Sequence, residues 1–93
     1  MSRENDLVKL INEGMTAEGI LSNPLFAASF NSIRGKIISE FSATKFDDKE
    51  KREYLHRLLN NVDSIERFYE TVLQNGKIAE QDLDDLTNDK GGL

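Results

Sequence analysis

The chain has 93 residues, of which 38% are apolar and 31% are charged, with no cysteine and a formal net charge of −5. This length excludes a catalytic domain joined to a regulatory one, and the lack of cysteine excludes disulfides, thiolate nucleophiles and thiolate metal sites. The modest apolar fraction favours long helices or a helical bundle that gains part of its stability from self-association.

The beginning of the chain predicts short helices. Asn5 or Asp6 can cap a helix over residues 7–13, and Gly14 suits the position just after its C-terminus. A weaker element follows at residues 16–21, where Gly19 interrupts the helical pattern.

A stronger helix-start signal follows at Asn23-Pro24. Asn23 supplies a capping oxygen, and Pro24 fits the first helical position, where its missing N–H costs nothing. The helix is predicted to run to about Thr44, and Gly35 within it marks either a close approach by a neighbour or a tolerated surface glycine. Apolar residues recur along this helix at spacings of three and four: Phe26, Phe30, Ile33, Ile37 and Phe41.

The longest predicted helix spans about Asp48 to Gln74. Asp47 and Glu50 have the spacing of a capping box, Phe46 is placed like a hydrophobic staple, and Asn75-Gly76 predicts the C-terminal stop. An a/d heptad runs along it: Leu55, Leu58, Val62, Ile65, Tyr69 and Val72.

These elements predict an all-α fold, a long antiparallel helical hairpin over about 23–75 with short flanking N- and C-terminal helices. The last helix is expected around residues 79–86, followed by a mobile tail over about 87–93. The heptad would pack on the apolar face of the Asn23-Pro24 helix, and residues 1–93 would form a single small helical domain that associates into a helical oligomer.

Three apolar residues beside the heptad, Leu59, Phe68 and Leu73, make the stripe wider than one hairpin partner covers. This width predicts a protein interface formed with a second subunit or another protein. A short terminal helix folding over the same residues is the competing explanation.

Nothing in the sequence predicts catalysis. His56 lies one turn from Glu53, but no nucleophile shares a recognisable motif with it, so a surface or interface histidine is favoured. The acidic residues near the C-terminus lack calcium-loop spacing, and phosphate-loop and dinucleotide motifs are missing. We therefore expect no enzyme activity, no metal, no cofactor and no small-molecule substrate.

Basic residues concentrate at the start of the long helix: Lys45, Lys49, Lys51, Arg52 and Arg57. They are interleaved with acidic residues such as Asp48 and Glu53, which favours a solvated face of mixed charge. Three i,i+4 pairs would stabilise this helix: Lys49–Glu53, Glu53–Arg57 and Asp63–Arg67. The alternative interpretation is a nucleic-acid-binding patch of a packaging subunit or regulator, although the acidic chain as a whole disfavours this partner.

Three segments form a recognisable pattern: the acidic opening from Asp47 to Glu53, the leucine-containing segment from Leu55 to Ile65, and the ending Gly76-Lys77-Ile78-Ala79. They give residues 27–83 a resemblance to a class of small helical proteins encoded by tailed bacteriophages. It implies a phage-encoded protein tied to virion assembly or genome packaging, and it brings no catalytic residues.

The sequence therefore predicts a non-enzymatic structural or assembly protein that acts through helix-mediated protein–protein association. Its expected partner is itself, as a homo-oligomer, or another phage or host protein. The polar N-terminus is unlike a signal peptide and no long apolar run is present, so we expect a soluble, intracellularly made protein without membrane contact. For such a protein the phage resemblance implies the host-cell cytoplasm or the virion.

Overall fold

A computed structural model describes the backbone of residues 2–91 and the side chains of residues 2–88. This part of the chain contains three helices and no strand: α1 spans Arg3–Ser22, α2 spans Pro24–Ala43 and α3 spans Lys49–Gly91. The predicted all-α class is confirmed. The chain divides into two compact units, unit 1 comprising Met1–Leu21 with Phe68–Leu93 and unit 2 comprising Ser22–Arg67.

The boundaries of α2 agree with the sequence prediction because local capping fixes them. The Oδ1 atom of Asn23 accepts hydrogen bonds from the N–H groups of Leu25 at 2.9 Å and Phe26 at 3.4 Å, while Pro24 occupies the first turn. A Cβ added at Gly35 would meet no atom within 4 Å. Gly35 is therefore a surface glycine, the second of the two predicted roles.

The helix α1 is longer than predicted. It continues through Gly14 and Gly19, so the stop at Gly14 and the interruption at Gly19 are both wrong. A Cβ added at Gly14 would lie only 2.9 Å from the Cα of Gly76. Gly14 is thus the point at which α1 approaches α3, and the packing there offsets the cost of a helical glycine, about 1 kcal/mol relative to alanine.

The helix α3 likewise continues through the predicted stop at Asn75-Gly76. It includes the residues expected to form a separate helix over 79–86, and residues 87–91 of the expected tail are helical too; the prediction of a short separate C-terminal helix is wrong. Gly76 is buried, and a Cβ added there would lie 2.8 Å from the Cα of Gly14 and 3.0 Å from the carbonyl oxygen of Leu10. Residues 92 and 93 of the expected tail lie outside the described residues.

The start of α3 is shifted by one residue from the prediction. The Oδ1 atom of Asp48 accepts a hydrogen bond from the N–H of Lys51 at 3.2 Å, so Asp48 rather than Asp47 caps the helix. Phe46 is 91% exposed, and its ring centroid lies 5.8 Å from the guanidinium carbon of Arg52.

Small residues are buried in unit 1 together with Leu7. Ala17 and Ala79 are almost fully buried in the same unit as the Gly14–Gly76 contact, and the guanidinium of Arg3 lies 3.5 Å from the carboxylate of Asp82. Small side chains let two helix backbones come close together. As a result α1 packs on the second half of α3, including the part of the heptad that the sequence assigned to α2.

Unit 2 combines an apolar core with one branched ion pair. Phe30, Ile37 and Leu55 are buried. Arg34 donates from Nε to Asp63 at 2.8 Å and from Nη2 to Glu66 at 2.9 Å. Asp63 is therefore paired with Arg34 on α2 and not with the i,i+4 partner expected within α3.

We predict opposite effects for alanine at two kinds of glycine. Gly14→Ala should lower the free energy of unfolding by about 1–3 kcal/mol, because its methyl group would overlap the backbone of Gly76. Gly19→Ala and Gly35→Ala add a methyl group that meets no atom within 4 Å and should stabilise by about 0.4–1 kcal/mol. Urea denaturation measures all three, and a stabilising Gly14→Ala would disprove the close contact.

We predict that Arg34→Met lowers the melting temperature more than Arg67→Met, an exposed control on α3, because only the former leaves two carboxylates without their donor. Arg34→Lys should fall between wild type and Arg34→Met, since lysine cannot reproduce the planar fork. Equal effects of Arg34→Met and Arg67→Met would contradict this role for Arg34.

The pH dependence of the Arg34 contribution follows from its pKa. Hydrogen bonds to Asp63 first and Glu66 second raise the pKa of Arg34 above its ordinary value. A raised cation pKa stabilises the folded state below the unfolded pKa, and the gain is lost only as the pH rises through the folded value. The difference in melting temperature between wild type and Arg34→Met should therefore stay constant between about pH 6 and pH 9.

Candidate protein-interaction surfaces

The first candidate surface is an open groove of about 490 Å³ in unit 1, which we call the Phe68 groove. It lies between Thr16 and Ile20 of α1 and Phe68, Tyr69 and Val72 of α3. The Phe68 ring is 63% exposed and meets the Tyr69 ring at a steep angle, with 5.5 Å between centroids. An exposed aromatic ring in an apolar groove is a feature of protein-binding surfaces.

The second candidate surface is in unit 2 and consists of two adjoining depressions that share Phe41 and His56; we call it the Phe41 groove. Its floor is apolar and comes from Ile37, Ile38, Phe41, Leu55 and Leu59. Its rim is polar and comes from Arg52, Glu53, His56 and Arg57. The groove thus combines apolar area with two cationic side chains.

Aromatic rings hold Arg52 in place at this groove. Its guanidinium carbon lies 5.0 Å from the centroid of Phe41 and 5.8 Å from that of Phe46. Both distances are within cation–π range. No sequence pattern indicates this cluster, because Phe41 belongs to α2, Arg52 belongs to α3 and Phe46 lies between the two helices.

The three residues predicted to form a protein interface line different depressions within their own units. Leu59 lies in the Phe41 groove of unit 2, whereas Phe68 lines the Phe68 groove of unit 1. Leu73 is half-buried and lines a depression together with Ile11 and Gly14 of α1. Participation of these residues in an interface stays a prediction.

The alternative interpretation was a nucleic-acid-binding patch of five basic residues. Lys45 lies between α2 and α3, and Arg52 is half-buried. The other three are exposed on α3: Lys49, Lys51 and Arg57. Arg52 already faces two aromatic rings, and Glu53 lines the same depression as Arg57. Cations and carboxylates thus share this surface, as expected for a face of mixed charge.

The described part of the chain holds no group of three or more potential metal ligands, and no helix in that part is both long and apolar enough to cross a membrane. Comparison with family models, curated proteins and solved structures gave no match. The Phe68 groove and the Phe41 groove are therefore the candidate functional sites.

Proposed function

We propose that this protein is a non-enzymatic structural or assembly component that acts through helix-mediated association, with a second copy of itself as a partner. The observation that carries the proposal is the Phe68 ring, 63% exposed in an apolar groove. Removing apolar surface from water contributes about 25 cal/mol per Å², so covering this ring favours association. Helix packing into an apolar groove is a common recognition mode.

The scaffold for this association is proposed to be a long antiparallel hairpin made by α2 and α3. The contacts within unit 2 support it, because Arg34 in the middle of α2 pairs with Asp63 and Glu66, whereas the later Phe41 meets the earlier Arg52. In antiparallel helices, residues later in the first helix contact residues earlier in the second, as these pairs do.

The resemblance to small helical phage proteins supports a setting in virion assembly, in the host-cell cytoplasm or the virion. A structural or assembly component needs surfaces that bind copies or partners, and this chain has two grooves for that role. A role in virion assembly requires no catalytic activity of this chain.

We predict that wild-type protein has a mass above that of the monomer in light scattering and that Phe68→Ala raises its dissociation constant about tenfold. The melting temperature should change little, because most of the ring is already in solvent. Leu25→Ala is the matched control, since Leu25 is exposed on α2 and lines neither groove.

Two results would contradict the proposal. A strictly monomeric wild type at high concentration would rule out self-association. A large loss of stability in Phe68→Ala without any change in mass would assign Phe68 to the fold instead of an interface.

A further inference from the structure

The Phe41 groove defines the kind of partner that fits it. Its apolar floor includes Ile38, which is 53% exposed, and its rim carries two arginines and one glutamate. Arg57 is exposed and forms no ion pair among residues 2–88. A complementary occupant would insert an apolar side chain and place a carboxylate against Arg57.

The same chain carries such a surface on α3 in unit 1. Ile78 is 58% exposed and lines neither groove. Asp82, which pairs with Arg3, and the exposed Asp85 follow it at the fourth and seventh positions, so they lie on the same side of the helix. Residues 78–88 contain four acidic residues and no basic one. We call the side of α3 with Ile78, Asp82 and Asp85 the Ile78 face.

We propose that the Phe41 groove binds the Ile78 face of a second copy of this chain, with Ile78 on the apolar floor and the Asp85 carboxylate facing Arg57. This inference rests on the proposed function and names the partner surface. Each molecule carries both complementary surfaces, so copies meet them at equal concentration. The contact joins two different surfaces and is therefore heterologous, which produces rings or open chains.

Charge reversal tests the pairing directly. Arg57→Glu changes the groove and Asp85→Lys changes the face; both side chains are exposed, so folding should be kept, as circular dichroism will check. In sedimentation velocity each variant alone should self-associate at least about tenfold more weakly. An equimolar mixture of the two should regain association, because the wild-type face of one variant meets the wild-type groove of the other.

Matched controls separate pairing from general effects. Arg67→Glu and Glu70→Lys make the same charge changes at exposed positions of α3 that line neither groove, and they should leave association unchanged. Ile78→Ala should weaken it, whereas Ile65→Ala, at a similarly exposed isoleucine, should not. Added salt should weaken the wild-type contact.

The outcomes distinguish this inference from the proposed function. If Arg57→Glu, Asp85→Lys and Ile78→Ala associate like wild type while Phe68→Ala does not, self-association stands and the groove-to-face contact is wrong. If each charge variant is weak but their mixture does not recover, the pairing is also wrong. A monomeric wild type would overturn both proposals, and the Phe41 groove would then be expected to bind an acidic helix of another protein.

Discussion

The contact between Gly14 and Gly76 is the constraint on which unit 1 depends. Neither glycine can gain a Cβ without meeting the Cα of the other within 3 Å, so the backbones of α1 and α3 touch where side chains normally intervene. Dispersion between closely packed backbone atoms is small per pair but adds up along the contact. Buried Ala17 and Ala79 in the same unit also keep side-chain bulk low. Both helices therefore continue through glycines that would otherwise favour their ends.

Helix ends that depend on neighbouring residues can be predicted from the sequence. Helix ends that depend on contacts between residues far apart in the chain cannot. Asn23 and Pro24 act within one helical turn, so their pattern predicted the start of α2 correctly. A glycine after a helical segment looks the same whether it adopts a left-handed C′ conformation or faces another backbone. Only the partner residue decides between these roles. For this reason the helix stops predicted at Gly14 and Gly76 are wrong, while the all-α class, which needs only periodicity, is right.

The heptad shows the same limit at the level of packing. Its spacing correctly predicts a helix with an apolar side, but it does not say which helix covers each part. Leu55 is buried in unit 2 with residues of α2, whereas Tyr69 and Val72 line a groove with residues of α1. The sequence predicts an α1 that is too short, and it therefore predicts that the whole heptad packs on α2. The same error makes Leu73 a predicted interface residue.

Arginines in unit 2 show why charge counts alone cannot identify a binding surface. Arg34 has two carboxylate partners within its own unit, and Arg52 faces two rings. Arg57, a few residues away on the same groove, shares its depression with only one carboxylate, that of Glu53. The first two cations are already used by the fold, so a partner would gain little by approaching them. An interaction surface is thus better sought where a cation borders exposed apolar area, as at the Phe41 groove, than where basic residues are merely numerous.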